Sequence, residues 1–387
     1  MKILHIALAS HFTIGMLYQE NQMINCQRAD GHDVTIVTDL WHYERGNLVK
    51  GEEEDTIMDN GARLIRWAHD RVMFSDLWTE KIQKCRRVKG LLEELQPDTI
   101  LFHGMCGYEI MDAADYCKKH PECLLFMDCH EDYSDSARTF LSKAFYKIIH
   151  GHYISKAMPE VDKVLYIGAD MKAWMNDLYS IPEDKQEFLA PGGTIYTLEQ
   201  QKQARQEIIN KYSLPMDAII MAHSGKLAAT KRTEELLHAF SKVQDPRMAL
   251  FIFGSIPEDM EGVIRPLMEA DSRVHFMGWK VNKEIEEFLA GTDLYCQPGT
   301  QSSTFETAMC CGCVNMTYPW DSYTDATYTD CDGQNYFFVD GEEDMVAVFK
   351  QITDNPSILD QAKAKSYAYA QLTFDYQVIS RRIYTRG

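Results

Sequence analysis

Three observations predict an α/β protein made of two doubly wound parallel sheets in tandem. Short apolar runs alternate with amphipathic stretches from the first residue, the rhythm breaks near residue 190, and a second alternating series follows. A parallel crossover takes a dozen or more residues and usually a helix, so such alternation implies parallel sheets covered on both faces. In the first series Lys2 to Ala9 reads as a buried strand, Tyr18 to Ala29 as a helix ended by Gly31, and Val34 to Thr38 as a second strand. Further strands are expected at Arg63 to Trp67, Thr99 to Phe102, Leu124 to Met127 and Lys163 to Ile167. The helices between them are expected at Glu80 to Leu95, Tyr108 to Lys119 and Ala137 to Ile149. Ala190-Pro-Gly-Gly193 and the Gln-rich helix Leu198 to Tyr212 mark a hinge. The second series has strands at Ala218 to His223, Ala249 to Phe253, Val274 to Met277, Leu294 to Cys296 and Val314 to Met316. Helices at Lys231 to Lys242, Glu258 to Ala270, Asn282 to Ala290 and Thr304 to Cys311 separate them. The domains expected are 1–195 and 196–369, with a tail at 370–387.

Composition narrows the function. Lys and Arg total 39 against 58 Asp and Glu, a formal charge of −19 in 387 residues, which repels a phosphate backbone and argues against nucleic acid as a partner. The opening MKILHIALAS has an apolar run too short for a signal peptide, and no stretch reaches the roughly 18 apolar residues of a spanning helix. Eleven cysteines, an odd number without paired metal-type spacing, fit reduced thiols. A soluble, cytoplasmic protein is expected.

Ligands of doubly wound sheets bind beyond the carboxyl ends of the strands, so those loops hold the candidate chemistry. Gly15 precedes the first helix and lets a ligand approach its N-terminus, or is simply a turn. In Ser224-Gly225-Lys226-Leu227 with Lys231-Arg232, the two lysines five residues apart can converge on a diphosphate, the alternative being a solvated face. Pro298-Gly-Thr-Gln301-Ser302-Ser303-Thr304 crowds hydroxyls and amides at a helix start, where Glu306 can equally close a capping box with Ser303. Asp128, His130 and Asp132 share one face if extended and could supply an acid, a base, an electrostatic stabiliser or metal ligands; His150 and His152 are the nearest further ligands. Cys310-Cys-Gly-Cys313 reads as small residues for tight packing. Lys81, Lys84, Arg86, Arg87 and Lys89 cluster on one expected helix, as a peripheral contact with an anionic membrane or as a solvated face.

Taken together, these residues resemble a GT-B glycosyltransferase of the family 4 type over nearly the whole chain. Met1-Lys-Ile-Leu-His-Ile6, Tyr18-Gln-Glu-Asn21, Gly31-His-Asp-Val-Thr-Ile-Val-Thr38, Leu189-Ala-Pro-Gly-Gly193, Ser224-Gly-Lys-Leu227 with Lys231, Phe253-Gly254, Phe276-Met-Gly278 and Thr373-Phe-Asp-Tyr376 carry the likeness. The resemblance implies two Rossmann-like domains facing a central cleft, the first on the acceptor side and the second binding the nucleotide-sugar, with the tail helix crossing back to the first. It implies that Lys226 and Lys231 clamp the diphosphate, that Met277 and Gly278 grip the base through their backbone, and that His130 lies beside the donor sugar. Gly15, Ser224, Gly225 and Gly254 join the donor site on the same footing. The family's two glutamates eight positions apart are degenerate: Thr307 aligns with the second, nothing replaces the first, and Glu306, Gln301, Ser302, Ser303 and Thr304 are the substitutes expected.

The activity implied is retaining sugar transfer from a nucleotide-sugar, UDP by the family's habit, to a glycan or lipid-linked glycan. No cofactor and no metal are expected. Surface-polysaccharide or glycoconjugate synthesis at the inner face of a membrane is the setting this suggests. The alternatives are a nucleotide-sugar-binding assembly subunit without turnover and a metal-dependent hydrolase using Asp128, His130 and Asp132.

Overall fold

The computed structural model describes residues 1–386 apart from 17, 45–46, 135, 303, 321–322 and 324–334. The chain divides into two compact units, Met1–Ala190 with Ile379–Gly387, and Pro191–Val378. Each is an α/β layer structure around a parallel sheet.

Unit 1 runs β1 (Lys2–Ala7), α1 (Gln19–Ala29), β2 (Asp33–Thr38), β3 (Trp41–Glu44), β4 (Asn47–Lys50), β5 (Glu54–Ile57), β6 (Arg63–Arg66), α2 (Asp76–Ile82), α3 (Arg87–Leu95) and β7 (Thr99–Phe102). It continues with α4 (Glu109–Lys119), β8 (Leu124–Cys129), α5 (Phe140–Phe145), α6 (Gly151–Ala157), β9 (Lys163–Tyr166), α7 (Ala169–Tyr179) and β10 (Gln186–Phe188). The sheet order is β10-β9-β8-β7-β1-β2-β6-β5, parallel except for the edge strand β5. Ile3, Leu4 and Ile6 are buried on both faces, as an apolar run in a covered parallel sheet must be. β1 stands between β2 and β7, so the strand order reverses there.

Several elements differ from the expected ones. The helix expected from Glu80 to Leu95 is two helices, because Gln83 takes a left-handed conformation (φ 51°) and ends the first. The basic cluster therefore does not form one cationic face. Arg86 pairs with Asp70, Arg87 pairs with Glu53 and lies 4.6 Å from the Trp67 ring, and Lys84 sits over Tyr108. The helix expected to stop at Ile149 continues to Ala157 through a π-helical turn, Tyr146–His150. β5 is exposed along its whole length and carries no apolar period to betray it.

Unit 2 runs α8 (Leu198–Tyr212), β11 (Ile219–Lys226), α9 (Thr233–Ser241), β12 (Met248–Ser255), α10 (Glu258–Ala270), β13 (Val274–Gly278) and α11 (Asn282–Leu289). Then come β14 (Leu294–Gln297), α12 (Thr304–Cys310), β15 (Val314–Thr317), β16 (Tyr336–Phe338), α13 (Glu342–Asp354), α14 (Pro356–Thr373) and α15 (Tyr376–Arg381). Its all-parallel sheet has the order β13-β12-β11-β14-β15-β16, reversing between β11 and β14. Gly193 belongs here: its amide donates to the Phe374 carbonyl, and a Cβ would come within 3.0 Å of Cys310 and the Thr307 backbone. The chain returns to unit 1 for its last residues, where Arg381 forks onto Asp30, Arg382 pairs with Glu187 and Arg386 with Asp162. These exposed pairs contribute about 0–1 kcal/mol each. No helix among the described residues is long and apolar enough to cross a membrane.

Glu109, at the start of α4, is fully buried. Its Oε1 accepts from the Cys85 amide, while Oε2 finds no partner among the described residues. Burial pushes its carboxyl up to about 8 from 4.5. The folded chain thus holds a proton that the unfolded chain releases, and stability falls as pH rises through that window. Glu109→Gln, which mimics the neutral acid, is expected to raise the melting temperature at pH 8.5 and leave it nearly unchanged at pH 4.

Candidate active site

In unit 2, β11 and β12 run in register to their ends, with Gly225 opposite Gly254. Both glycines have left-handed φ, +133° and +128°, and a Cβ on Gly254 would lie 1.8 Å from the Gly225 carbonyl oxygen. Only glycine fits there. A Cβ on Gly299 would likewise fall 2.2 Å from the Thr230 carbonyl oxygen. The loops after β11, β12 and β14 are thereby in backbone contact at one corner of the sheet.

Lys231 occupies that corner. Its half-buried ammonium donates to the carbonyls of Thr300 and Gln301, each at 3.3 Å, and the Thr300 amide donates to Thr230 at 3.0 Å. Burial lowers its pKa, since taking an ammonium out of water disfavours the charged form. Among the described residues no carboxylate pairs with it. Arg232, its neighbour, is engaged by Glu235 through Nε (2.9 Å) and Nη2 (2.6 Å). Lys226, the last residue of β11, is exposed.

The other candidates divide. The Ser224 hydroxyl is buried against the Tyr295 hydroxyl at 2.9 Å, and its main chain is paired opposite Phe253 of β12. Gly278 ends β13 with φ +66°, and the Met277 sulfur accepts from the Tyr212 hydroxyl at 3.5 Å. Gln301 is exposed, and the Ser302 hydroxyl accepts from the Thr304 amide at 3.3 Å. Glu306 is only 3% exposed, in the first turn of α12. Ser303, and with it the capping box, lies outside the described residues. Gly15 and His130 belong to unit 1; Gly15 has φ +79° and open space where a Cβ would point.

The polar centre of unit 1 is a chain of buried groups across the β1/β7 reversal. Gln27 Oε1 lies 2.8 Å from His5 Nε2, His5 Nδ1 lies 2.9 Å from His103 Nε2, and His103 Nδ1 lies 2.6 Å from Asp128 Oδ2. The Gly104 amide donates to Asp128 Oδ1 at 2.7 Å, and His130 Nε2 stands 3.6 Å from Oδ2. Burial, then the neighbouring His103, pushes His5 down to about 3, so its ring is neutral. As drawn, the Gln27 amide nitrogen has no partner. Turning that amide over lets it donate to His5, His5 donate to His103, and His103 donate to Asp128, so that the chain of donors runs in one direction to the carboxylate.

Asp128 is buried, which by itself would raise its pKa, but His103 and His130 outweigh this and hold it well below the carboxylate range. For His130 burial opposes the charge, yet the Asp128 carboxylate, with Glu20 and Glu131 beyond it, pushes the ring up to about 9. His130 is therefore a cation at neutral pH, with its side chain 38% exposed. His5, Gln27 and His103 escaped the sequence reading. The available signal was a histidine inside an apolar strand, a residue that is seldom fully buried without a partner.

The proposed grouping of Asp128, His130 and Asp132 on one face does not form. β8 ends at Cys129, and the Asp132 carboxylate accepts from the Ser134 amide at 2.6 Å. His150 is packed among Phe145, Tyr146 and Tyr153, with burial lowering its pKa to about 4. Among the described residues no three His, Cys, Asp or Glu side chains are arranged to hold a metal ion. Cys310, Cys311 and Cys313 are buried, and a Cβ on Gly312 would strike Gln201 of α8 at 2.3 Å.

With this geometry in view, residues 204–370 match the family model described as glycosyl transferases group 1. Solved structures match end to end. HepE of Anabaena, determined in complex with UDP, superposes with a TM-score of 0.64 at 14% identity over 99% of this chain and 98% of its own. Sucrose-phosphate synthase of Thermosynechococcus elongatus gives 0.62 at 13% identity over 98% and 96%. WaaG, a glycosyltransferase involved in lipopolysaccharide biosynthesis, gives 0.57 at 14% identity over 99% of both. No curated protein matches in sequence. The fold is GT-B, two Rossmann-like halves, and its second half is the part that is similar to the group 1 glycosyl transferase model.

The His130 charge has a direct readout. A raised pKa means that the charged ring contributes stability that is complete below about 6.5 and lost as pH rises through about 9. NMR titration is expected to place the His130 ring near 9 in the wild type. In Asp128→Asn it should fall well below that, because burial is then opposed only by Glu20 and Glu131.

Proposed function

We propose that the protein transfers a sugar from a UDP-sugar to a glycan or lipid-linked glycan with retention of configuration. The observation that carries this is Lys231, a half-buried ammonium without a carboxylate partner among the described residues of an acidic chain. Desolvating a cation beside only carbonyls is costly unless an anion completes its shell. The packed glycine turns beside it let a diphosphate approach the backbone. The group 1 domain and the UDP complexes of HepE support a nucleotide-sugar as that anion.

In this reading Lys231 and Lys226 neutralise charge as the anomeric C–O bond to the diphosphate breaks. The acceptor oxygen attacks from the face the diphosphate leaves, and its proton passes to the departing phosphate oxygen. His130, as a cation, orients the donor sugar and stabilises developing negative charge rather than acting as a base. The lysines supply the charge that a metal would otherwise bring, so transfer is expected to proceed in excess chelator. Surface-polysaccharide or glycoconjugate synthesis on the cytoplasmic side is the setting, with Lys81, Lys84 and Lys89 the cations left for a membrane once Arg86 and Arg87 are paired.

A second reading, a nucleotide-sugar-binding subunit without turnover, draws on Glu306. At 3% exposure it sits in the interior of the unit, in the first turn of α12, and the family's pair of glutamates is incomplete beside it. Release of UDP from UDP-sugars in the presence of a broad acceptor set decides between the two.

The test of the nucleotide site is affinity. A charge-assisted contact contributes about 1.5–3 kcal/mol, and about 1.4 kcal/mol is tenfold in binding. UDP is expected to raise the melting temperature of the wild type, and Lys231→Ala should weaken UDP about tenfold or more. Unchanged UDP affinity in Lys226→Ala combined with Lys231→Ala would refute the proposal.

A further inference from the structure

The carboxyl edge of the unit 1 sheet holds a second feature, three strands away from His130. β2 and β6 end side by side, Thr38 beside Arg66, and the residues that follow them line a cavity of about 260 Å3. Its lining includes Trp41, Trp67, Asp39, His69, Lys50 and Thr79.

These groups are held in place. Asp39 Oδ2 lies 2.8 Å from His11 Nδ1, and Oδ1 accepts from the Trp41 amide at 3.1 Å. His69 Nε2 donates to the Leu8 carbonyl at 2.9 Å, and burial keeps the ring neutral, so Nδ1 remains as an acceptor. Lys50 Nζ stands 5.8 Å from the Trp41 ring. The buried Arg66 supports the floor by donating to the Phe12 carbonyl at 3.0 Å and to Glu54 at 2.7 Å. The sequence reading singled out none of these side chains.

Two tryptophans, one of them with Arg87 over its ring, beside a fixed carboxylate, an imidazole acceptor and an ammonium suit a ligand with one C–H face and a rim of hydroxyls. Asp39 and Asp76, both in the lining, disfavour a phosphate. We propose that this cavity is a pyranose-binding subsite, with the sugar's C–H face on an indole and its hydroxyls on Asp39 and His69. Binding stands on the cavity alone; its role as an acceptor subsite rests on the glycosyltransferase reading.

The sheet order fixes what that role implies. From β8, which ends beside His130, to β2, which ends at Asp39, is three strand spacings, about 14 Å. One pyranose ring cannot span that. A sugar held by Trp41 and Asp39 is therefore remote from the reacting hydroxyl, and the acceptor is an oligosaccharide read at a distance from its growing end.

The experiment uses the full chain. Methyl pyranosides of glucose, galactose, mannose, N-acetylglucosamine and glucuronic acid, with oligosaccharides of the same sugars, are titrated by tryptophan fluorescence and saturation-transfer NMR, and UDP is followed by thermal shift in parallel. At least one pyranoside is expected to bind at millimolar concentration. Asp39→Asn and Trp41→Ala should each weaken it tenfold or more, Trp41→Phe should retain most of the affinity, and UDP binding should be unchanged. Asp39→Asn is isosteric and decides the matter should Trp41→Ala fail to fold. No pyranoside binding, or binding indifferent to Asp39→Asn, overturns the subsite. UDP binding without pyranoside binding sinks this inference alone, whereas pyranoside binding without UDP binding sinks the nucleotide-sugar reading and leaves the subsite standing.

Discussion

A parallel sheet covered on both faces has no interior room for unpaired polar groups, so chemistry collects where its strands run out. Both units obey this constraint. In unit 1 the carboxyl edge carries, in sheet order, His130 after β8, His103 after β7, His11 after β1, Asp39 after β2 and Trp67 after β6. In unit 2 it carries Lys226 at the end of β11, the Gly254 turn of β12, Gly278 of β13 and the Pro298–Ser302 loop after β14. Between those ends the strands are mostly apolar, as Ile220, Met221 and Ala222 show with no exposed surface, and a polar residue such as His5 is buried there only with hydrogen-bond partners.

The two edges manage charge in opposite ways. In unit 1 a buried carboxylate, Asp128, is met by two imidazoles and an amide, and that arrangement keeps His130 a cation at neutral pH. In unit 2 the cation itself, Lys231, is half-buried and, among the described residues, donates to carbonyls and pairs with no carboxylate. The glycines at 254 and 299 let the loops around that cation pack backbone to backbone, because a Cβ at either would collide with main-chain atoms, and a Cβ on Gly225 would press on the Lys231 side chain. A positive site in a chain of charge −19 also draws its ligand locally while the molecule as a whole repels nucleic acid.

Legibility followed burial. The strand at Thr99–Phe102 and the helix at Glu109–Lys119 could be read because their apolar residues repeat with the period of the element. The polar edge strand Glu54–Ile57 could not, nor could the break at Gln83, since nothing local demands a left-handed residue there. Asp128 and His130 stood out as polar residues closing an apolar strand, but extending the alternation to Asp132 failed because the strand stops at Cys129. His5 and His103, 98 positions apart, acquire meaning only when β1 and β7 pair.

The sequence by itself determined the α/β class, the two series of strands, and the glycine and lysine residues at the ends of the second series. Periodicity and turn chemistry are local properties, readable without a partner. Tertiary structure alone decided which of those residues meet. It brought Lys231 against the carbonyls of Thr300 and Gln301, joined Gln27, His5, His103 and Asp128 into one hydrogen-bonded line, and gathered Asp39, Trp41, Trp67 and His69 around one cavity. Each of these depends on which strands are neighbours, and strand order in a parallel sheet is set by crossovers that pack whole helices, not by any short run of residues.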